Sequence, residues 1–373
     1  MNQPKLLNLE SLRGIAAISV AMYHFNYQSH FNNIFVSNAW LMVDFFFVLS
    51  GFVIALNYER RLTNFGELFT FQKKRFLRLY PLHFIMLVVF LVIEILKYIL
   101  EIKLNIVANI PAFSINNLQA FIANVTLLQE WPGGMHFTFN TPSWSISAEF
   151  YTYAIFGIVA VLTTKSKTLL YIISILLILT SGFFLYEHNS FSGPLRCIYS
   201  FFIGAMTHSL YRRFDLRDKL NTSFLGCIML IFSIFLATKV LPSFHNTMVL
   251  RFELIVIIPI IFALTVLSLV STKNNTYINI ILSNSKLVYL GTISYGIYMI
   301  HAAIWWVYRQ FFKFVVDLPT ELNNSGYEEI VFENIYFADL VLLSGIILII
   351  ILAHLSYVFV ETKFNRPVKK KNS

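Results

Sequence analysis

Charge is scarce in this sequence. Only 13% of its 373 residues are Asp, Glu, Lys or Arg, roughly half the share usual in soluble domains. With 57% hydrophobic residues and a mean hydropathy of +0.68, a soluble globular domain is excluded and a polytopic membrane protein is indicated. Cysteine is scarcer still. The two present, Cys197 and Cys227, fall within apolar runs, and no Cys/His cluster has metal-ligand spacing. Free, buried thiols are therefore expected, with no disulfide and no metal site. The first residues lack the basic segment and small-residue cleavage site of a signal peptide. Low-complexity linkers and transporter-type internal repeats are also missing.

What is abundant is apolar and aromatic. The chain has 38 Phe and 19 Tyr, which suit lipid-facing and interfacial surfaces. Apolar runs of about 18 to 22 residues predict ten spans, near 11–29, 38–57, 81–100, 143–162, 169–186, 194–211, 222–241, 251–270, 287–309 and 338–360. The fold class expected is an all-α transmembrane bundle forming one domain over 1–373, with a basic cytoplasmic tail at 361–373. Most of the 28 Lys and Arg fall on one side of these spans, and the positive-inside rule then puts both termini in the cytoplasm. The net charge of +9 is thus explained by short basic loops, and no nucleic-acid partner is expected. Two outer segments, 101–142 and 310–337, have room for extra structure. The first holds WPGG, Trp131 to Gly134, a turn signal, and an apolar stretch, 118–128, that lies along the interface or re-enters.

The organising stretch runs from Ser11 to His30, an apolar helix with Arg13 at its start and His24 deep inside. Eleven residues bring His24 back to within about 20° of the Arg13 face, roughly 16 Å along the axis. An ionisable group inside a span marks a functional site by default. The plainer reading of His24 alone is a hydrogen bond that joins two helices. Helix rise places His24, Asp44, Glu149 and His301 at one depth, about 8 to 12 Å below the outer surface, which suggests a polar chamber. Within it Asp44 either acts or merely pairs within the bundle. Glu149 lies too far into its helix to be only a helix-entry acid, and His301 is expected as a hydrogen-bonding neighbour of the site.

The inner surface carries a second cluster. Arg75 and Arg78, three apart, share a helical face just before Pro81. With Arg13 they suit phosphate groups, since guanidinium forks match phosphate oxygens, whereas Lys73 and Lys74 need only set topology or touch anionic membrane lipid. A donor with phosphates at the cytoplasmic face and a reactive tip reaching His24 has the shape of acyl-CoA. His24 would serve as general base on an acceptor hydroxyl, or itself take the acyl group.

The ordered phrases extend this picture. Arg13-Gly14 with His24, FFFVLSGF from Phe45 to Phe52, RxxRxxP from Arg75 to Pro81, WSISAE from Trp144 to Glu149, SYGIYMIH from Ser294 to His301 and the closing VETKFNRP resemble the acyltransferase-3 family of integral membrane acyltransferases. The resemblance implies a ten-helix bacterial inner-membrane protein that uses cytoplasmic acyl-CoA, most often acetyl-CoA, to O-acylate carbohydrates, lipid-linked acceptors among them. By motif it implies His24 as catalyst and Arg13, Arg75 and Arg78 as donor ligands. Ser50, Gly51 and Phe52 join the donor site, and Glu149 orients His24 or the acceptor. Asp44 is placed with the catalytic groups, and Trp144, Ser145, Tyr295 and His301 with the substrate. The SGNH-type hydrolase domain fused to larger members is not expected here. The competing reading is a transporter or flippase whose buried His, Asp and Glu conduct protons or sugar.

Overall fold

A computed structural model describes residues 6–25, 27–105, 110–132, 134–187, 192–217, 219, 248–322 and 328–364. The expected span at 222–241, Cys227 and the tail beyond residue 364 lie outside them. The described chain is almost entirely helical. Its helices are α1 (Leu7–Tyr23), α2 (Ile34–Ser37), α3 (Met42–Tyr58), α4 (Phe65–Leu104), α5 (Leu118–Val125), α6 (Trp144–Leu162), α7 (Lys167–Glu187) and α8 (Gly193–Arg213). They continue with α9 (Met248–Ser271), α10 (Tyr277–Leu282), α11 (Ser285–Thr292), α12 (Ser294–Phe314) and α13 (Ile335–Ser356).

Five of the described helices are long and apolar enough to cross a membrane, and a sixth span follows if α11 and α12, bent by 65° at Ile293, count as one. Their outer faces carry large apolar residues such as Leu176, Leu179 and Ile347, as lipid contact demands. α1 differs from expectation. It ends at Tyr23, and His24 is its C-cap, so His24 closes the helix instead of lying inside it. A polar run follows, in which Asn33 caps α2 through Phe35 N and Val36 N.

α4 is a single helix of 40 residues, about 60 Å long. It starts at the Asn64 cap and carries Arg75 and Arg78 before Pro81, so the basic run is helical rather than a loop. In the long segment after α4, the first eight residues of the stretch 118–128 form α5, with Leu118 and Ile122 exposed and Ala120 and Asn124 buried. The WPGG turn closes through Gly134 N donating to Trp131 O at 2.7 Å. The segment between α12 and α13 holds a short antiparallel pair, β1 (Thr320–Leu322) with β2 (Glu328–Ile330).

Two helix crossings set the bundle, and each depends on glycine. A Cβ on Gly51 of α3 would stand 1.9 Å from the Phe201 carbonyl oxygen of α8, and one on Gly204 equally close to Val48 O. α1 crosses α11 in the same manner, with Gly14 against Leu290 and Gly291. Only residues without a side chain let two backbones approach so closely. Gly51 therefore belongs to the α3–α8 contact.

Candidate active site

The helices α1, α3, α4, α6 and α12 enclose a cavity of about 430 Å³. Its lining runs along α3 from Val43 to Asn57, about 21 Å of helix. α3 is antiparallel to α1, so the Asn57 end lies beside the start of α1, where Arg13 is found. Arg75 and Arg78 from α4 line the cavity with it. Three guanidiniums therefore share one cavity with two acids, Glu149 and Glu10, the latter with its Oε1 3.5 Å from Arg13.

Arg75 is held by aromatic faces. Its guanidinium sits 5.5 Å from the Tyr58 ring centre, 5.8 Å from Phe71 and 5.9 Å from Tyr153. Its Nε is buried without a hydrogen-bond partner, a donor with capacity left for an anion. Lys73 and Lys74, on the same helix, are exposed and take no part in the lining.

Midway along the cavity, Tyr153 donates to Glu149 Oε1 at 2.6 Å and lies 2.9 Å from Ser50 Oγ. Ser50, Tyr153 and Glu149 thus form one polar chain across α3 and α6. Toward the other end stand Phe46, Ser145 and Tyr298. The Tyr298 hydroxyl is 2.8 Å from Ser145 Oγ and donates to Pro142 O at 2.9 Å. Tyr295, one turn back on α12, lines the cavity and donates to the Leu79 carbonyl of α4.

The two histidines lie just beyond this end. His301 is three residues past Tyr298, with ring centres 5.8 Å apart, and its ring stands 4.8 Å from that of His24. His24 Nδ1 is 2.9 Å from Val20 O, and His301 Nδ1 is 3.3 Å from Ile297 O. A carbonyl can only accept. In the neutral rings Nδ1 therefore carries the proton on both, which leaves each Nε2 with a free lone pair.

The expected four-residue chamber is not formed. Asp44 faces α8, where Arg196 Nε and Nη2 donate to its two carboxylate oxygens at 3.1 and 2.6 Å. Both partners are at most 1% exposed in their side chains, and the guanidinium lies between the Trp40 and Trp144 rings, 5.2 and 5.5 Å away. Glu149 lies within the cavity, apart from the histidine pair. Depth along a helix says nothing about rotation round the axis, and rotation turns Asp44 toward α8. Gly51, Phe52 and Trp144 likewise pack against α8 and do not line the cavity.

Arg196 is the residue that sequence reasoning missed. A cation one turn into an apolar helix was the available signal, and the cost of burying it unpaired implied an acidic partner. Cys197 beside it is buried and free. Among the described residues no group of three or more His, Cys, Asp or Glu is arranged to hold a metal.

The family model "Acyltransferase domain" (Acyl_transf_3) matches residues 6–360. The chain belongs to this family. It is 32% identical over 166 residues to the acyltransferase MdmB of Streptomyces mycarofaciens, covering 41% of this chain and 39% of that protein. It is 26% identical over 380 residues to a Staphylococcus aureus (strain COL) protein named as a candidate O-acetyltransferase, covering 96% of this chain and 57% of the relative. A third similarity, 29% over 178 residues, is to protein 2 in the picA locus of Rhizobium radiobacter, covering 44% of this chain and 88% of that protein. The chain thus spans less than two thirds of the first two relatives. No solved structure matches it.

Proposed function

We propose that this protein is a membrane O-acyltransferase that moves an acyl group, acetyl foremost, from cytoplasmic acyl-CoA to a hydroxyl of a cell-surface carbohydrate. One observation carries the reading: a single cavity with three arginines at one end and, just past the other, a histidine pair. The polarity of acyl-CoA matches it, with anionic phosphates at its head and a thioester at the tip of a thin arm. Arg13, Arg75 and Arg78 would hold the phosphates, and the orphaned Arg75 Nε fits that anion. Ser50 and Tyr295 would flank the arm, whereas Gly51 and Phe52 would act by seating α3 against α8.

Within this reading His24 Nε2 takes the proton of the acceptor hydroxyl while its oxygen attacks the thioester carbonyl. The carbon–sulfur bond breaks, and the departing thiolate recovers that proton from the imidazolium. The same lone pair also suits an acyl-imidazole route. Tyr298 lines the cavity and its ring centre is 5.8 Å from that of His301, so in this reading its phenol would have to give way for the thioester to reach His24. Glu149, held by Tyr153, fixes the arm-side wall rather than touching the histidine.

We further infer a single domain of ten spans in the bacterial inner membrane with both termini cytoplasmic, a reading supported by the basic loops. The test is mass spectrometry of surface glycans from cells with and without the protein, paired with coenzyme A thiol release by proteoliposomes. Loss of an acyl mass increment on deletion, together with acceptor-dependent thiol release, is expected. Identical glycans and no thiol release overturn the proposal.

A further inference from the structure

Five of the buried polar atoms without partners belong to residues linked to one another around the histidine side of the bundle, and these five share one property. Asn140 spends its Nδ2 on Met299 O at 3.0 Å, and Gln129 its Nε2 on Ser143 O at 3.3 Å. Asn124 gives its Nδ2 to Ala120 O and Thr138 Oγ1, both at 2.9 Å. His83 Nε2 lies 2.9 Å from Asn124 O, and His301 Nδ1 faces Ile297 O. In every case the donor face is satisfied by the protein. What is left over is Asn140 Oδ1, Gln129 Oε1, Asn124 Oδ1, His83 Nδ1 and His301 Nε2, each buried without a hydrogen-bond partner on a residue at most 2% exposed.

All five are acceptors. Native interiors rarely leave such groups unmatched, and an acceptor-only set calls for a ligand that donates. The turn at Asn140–Ser143 ties several of them together. Ser143 N donates to Asn140 O at 2.8 Å, Gln129 reaches Ser143, and Asn140 is strapped to Met299, two residues before His301. His301 in turn stands against His24.

The loop that carries this turn is held in an uncommon conformation. Leu127, Phe137 and Phe139 have φ of 58, 55 and 51°, the left-handed region that side chains with a Cβ rarely adopt.

We propose that Gln129, the turn from Asn140 to Ser143 and His301, with Asn140, Gln129 and His301 as the polar contacts, form the binding site of the acyl acceptor, and that it takes a sugar whose hydroxyls donate to these atoms. This deepens the acyltransferase reading and rests on it only for the word acceptor. The site delivers a bound hydroxyl beside the Nε2 lone pair of His24, on the opposite side of Tyr298 from the cavity.

The experiment measures binding without any acyl donor. Full-length protein in nanodiscs is titrated, by saturation-transfer NMR, with the methyl glycosides of glucose, galactose, mannose and rhamnose and with their fully O-methylated counterparts. The methylated sugars keep the ring shape but have no donors. At least one free glycoside binds, its methylated form does not, and Asn140→Leu and Gln129→Met each weaken it by about ten-fold. Acyl-CoA affinity of these variants stays unchanged. Equal binding of free and methylated sugars, no binding of any glycoside, or variants that bind as wild type would each overturn the proposal. The methylated comparison uses wild-type protein, so it stands even if a variant fails to fold. Sugar binding without thioester turnover would instead defeat the acyltransferase reading and leave this site in place.

Discussion

The imidazoles of His24 on α1 and His301 on α12 stand 4.8 Å apart, centre to centre, and both direct Nδ1 to the carbonyl one turn back on their own helices. The chain therefore presents two free Nε2 lone pairs at the point where the acyl and acceptor paths would meet. In the proposed reaction one of the two, His24, would act as the base.

His24→Ala should lower acyl transfer by about 10²- to 10⁴-fold, the usual contribution of a positioned general base. Membrane insertion and detergent-solubilised yield should match wild type, because His24 caps α1 through its backbone as much as its ring. Thiol release at the wild-type rate would remove His24 from the mechanism.

Arg75→Ala should raise KM for acyl-CoA with little change in kcat, the signature of lost ground-state donor binding. Arg75→Lys should recover only part of it, because an ammonium cannot reproduce the stacking on Tyr58, Phe71 and Tyr153. A fallen kcat at unchanged KM would point to a role in chemistry instead.

Arg196→Ala leaves Asp44 as an uncompensated buried charge and should cost about 3 to 5 kcal/mol. The double substitution Asp44→Leu with Arg196→Leu should restore most of that, as apolar replacement of buried ion pairs often does. Thermal melts of the solubilised variants decide the matter. If the single and double variants melt alike, the pair does not hold α3 to α8.

Burial raises the Glu130 carboxyl above its ordinary value, against the opposing His136 imidazole 3.1 Å away and Arg196. The folded state therefore prefers the protonated acid. Its stability is greatest below the ordinary carboxylate value and declines as pH rises through the raised one, then levels. Glu130→Gln should flatten the profile of Tm against pH above the ordinary carboxylate value. An identical slope in the variant would assign the pH dependence to another group.

Much of this was legible in the residues. Apolar runs located the helices, because crossing hydrocarbon requires length and apolarity that are local properties of the chain. The spacing of Arg75 and Arg78 likewise placed both on the cavity-facing side of α4. Seven of the candidate residues, Arg13, Ser50, Arg75, Arg78, Ser145, Glu149 and Tyr295, line one cavity.

Tertiary structure decided what local periodicity cannot express. Asp44 was grouped with the chamber by depth, yet its partner Arg196 is 152 positions away in the chain, and that contact sets the rotation of α3. The pairing of His24 with His301, the early end of α1 at Tyr23 and the place of Tyr298 between the cavity and His301 arose similarly. A helix pattern specifies which residues share a face and how far apart they are. Which neighbour that face meets depends on the packing of all the helices together, and there glycines 51, 204, 14 and 291 chose the crossings.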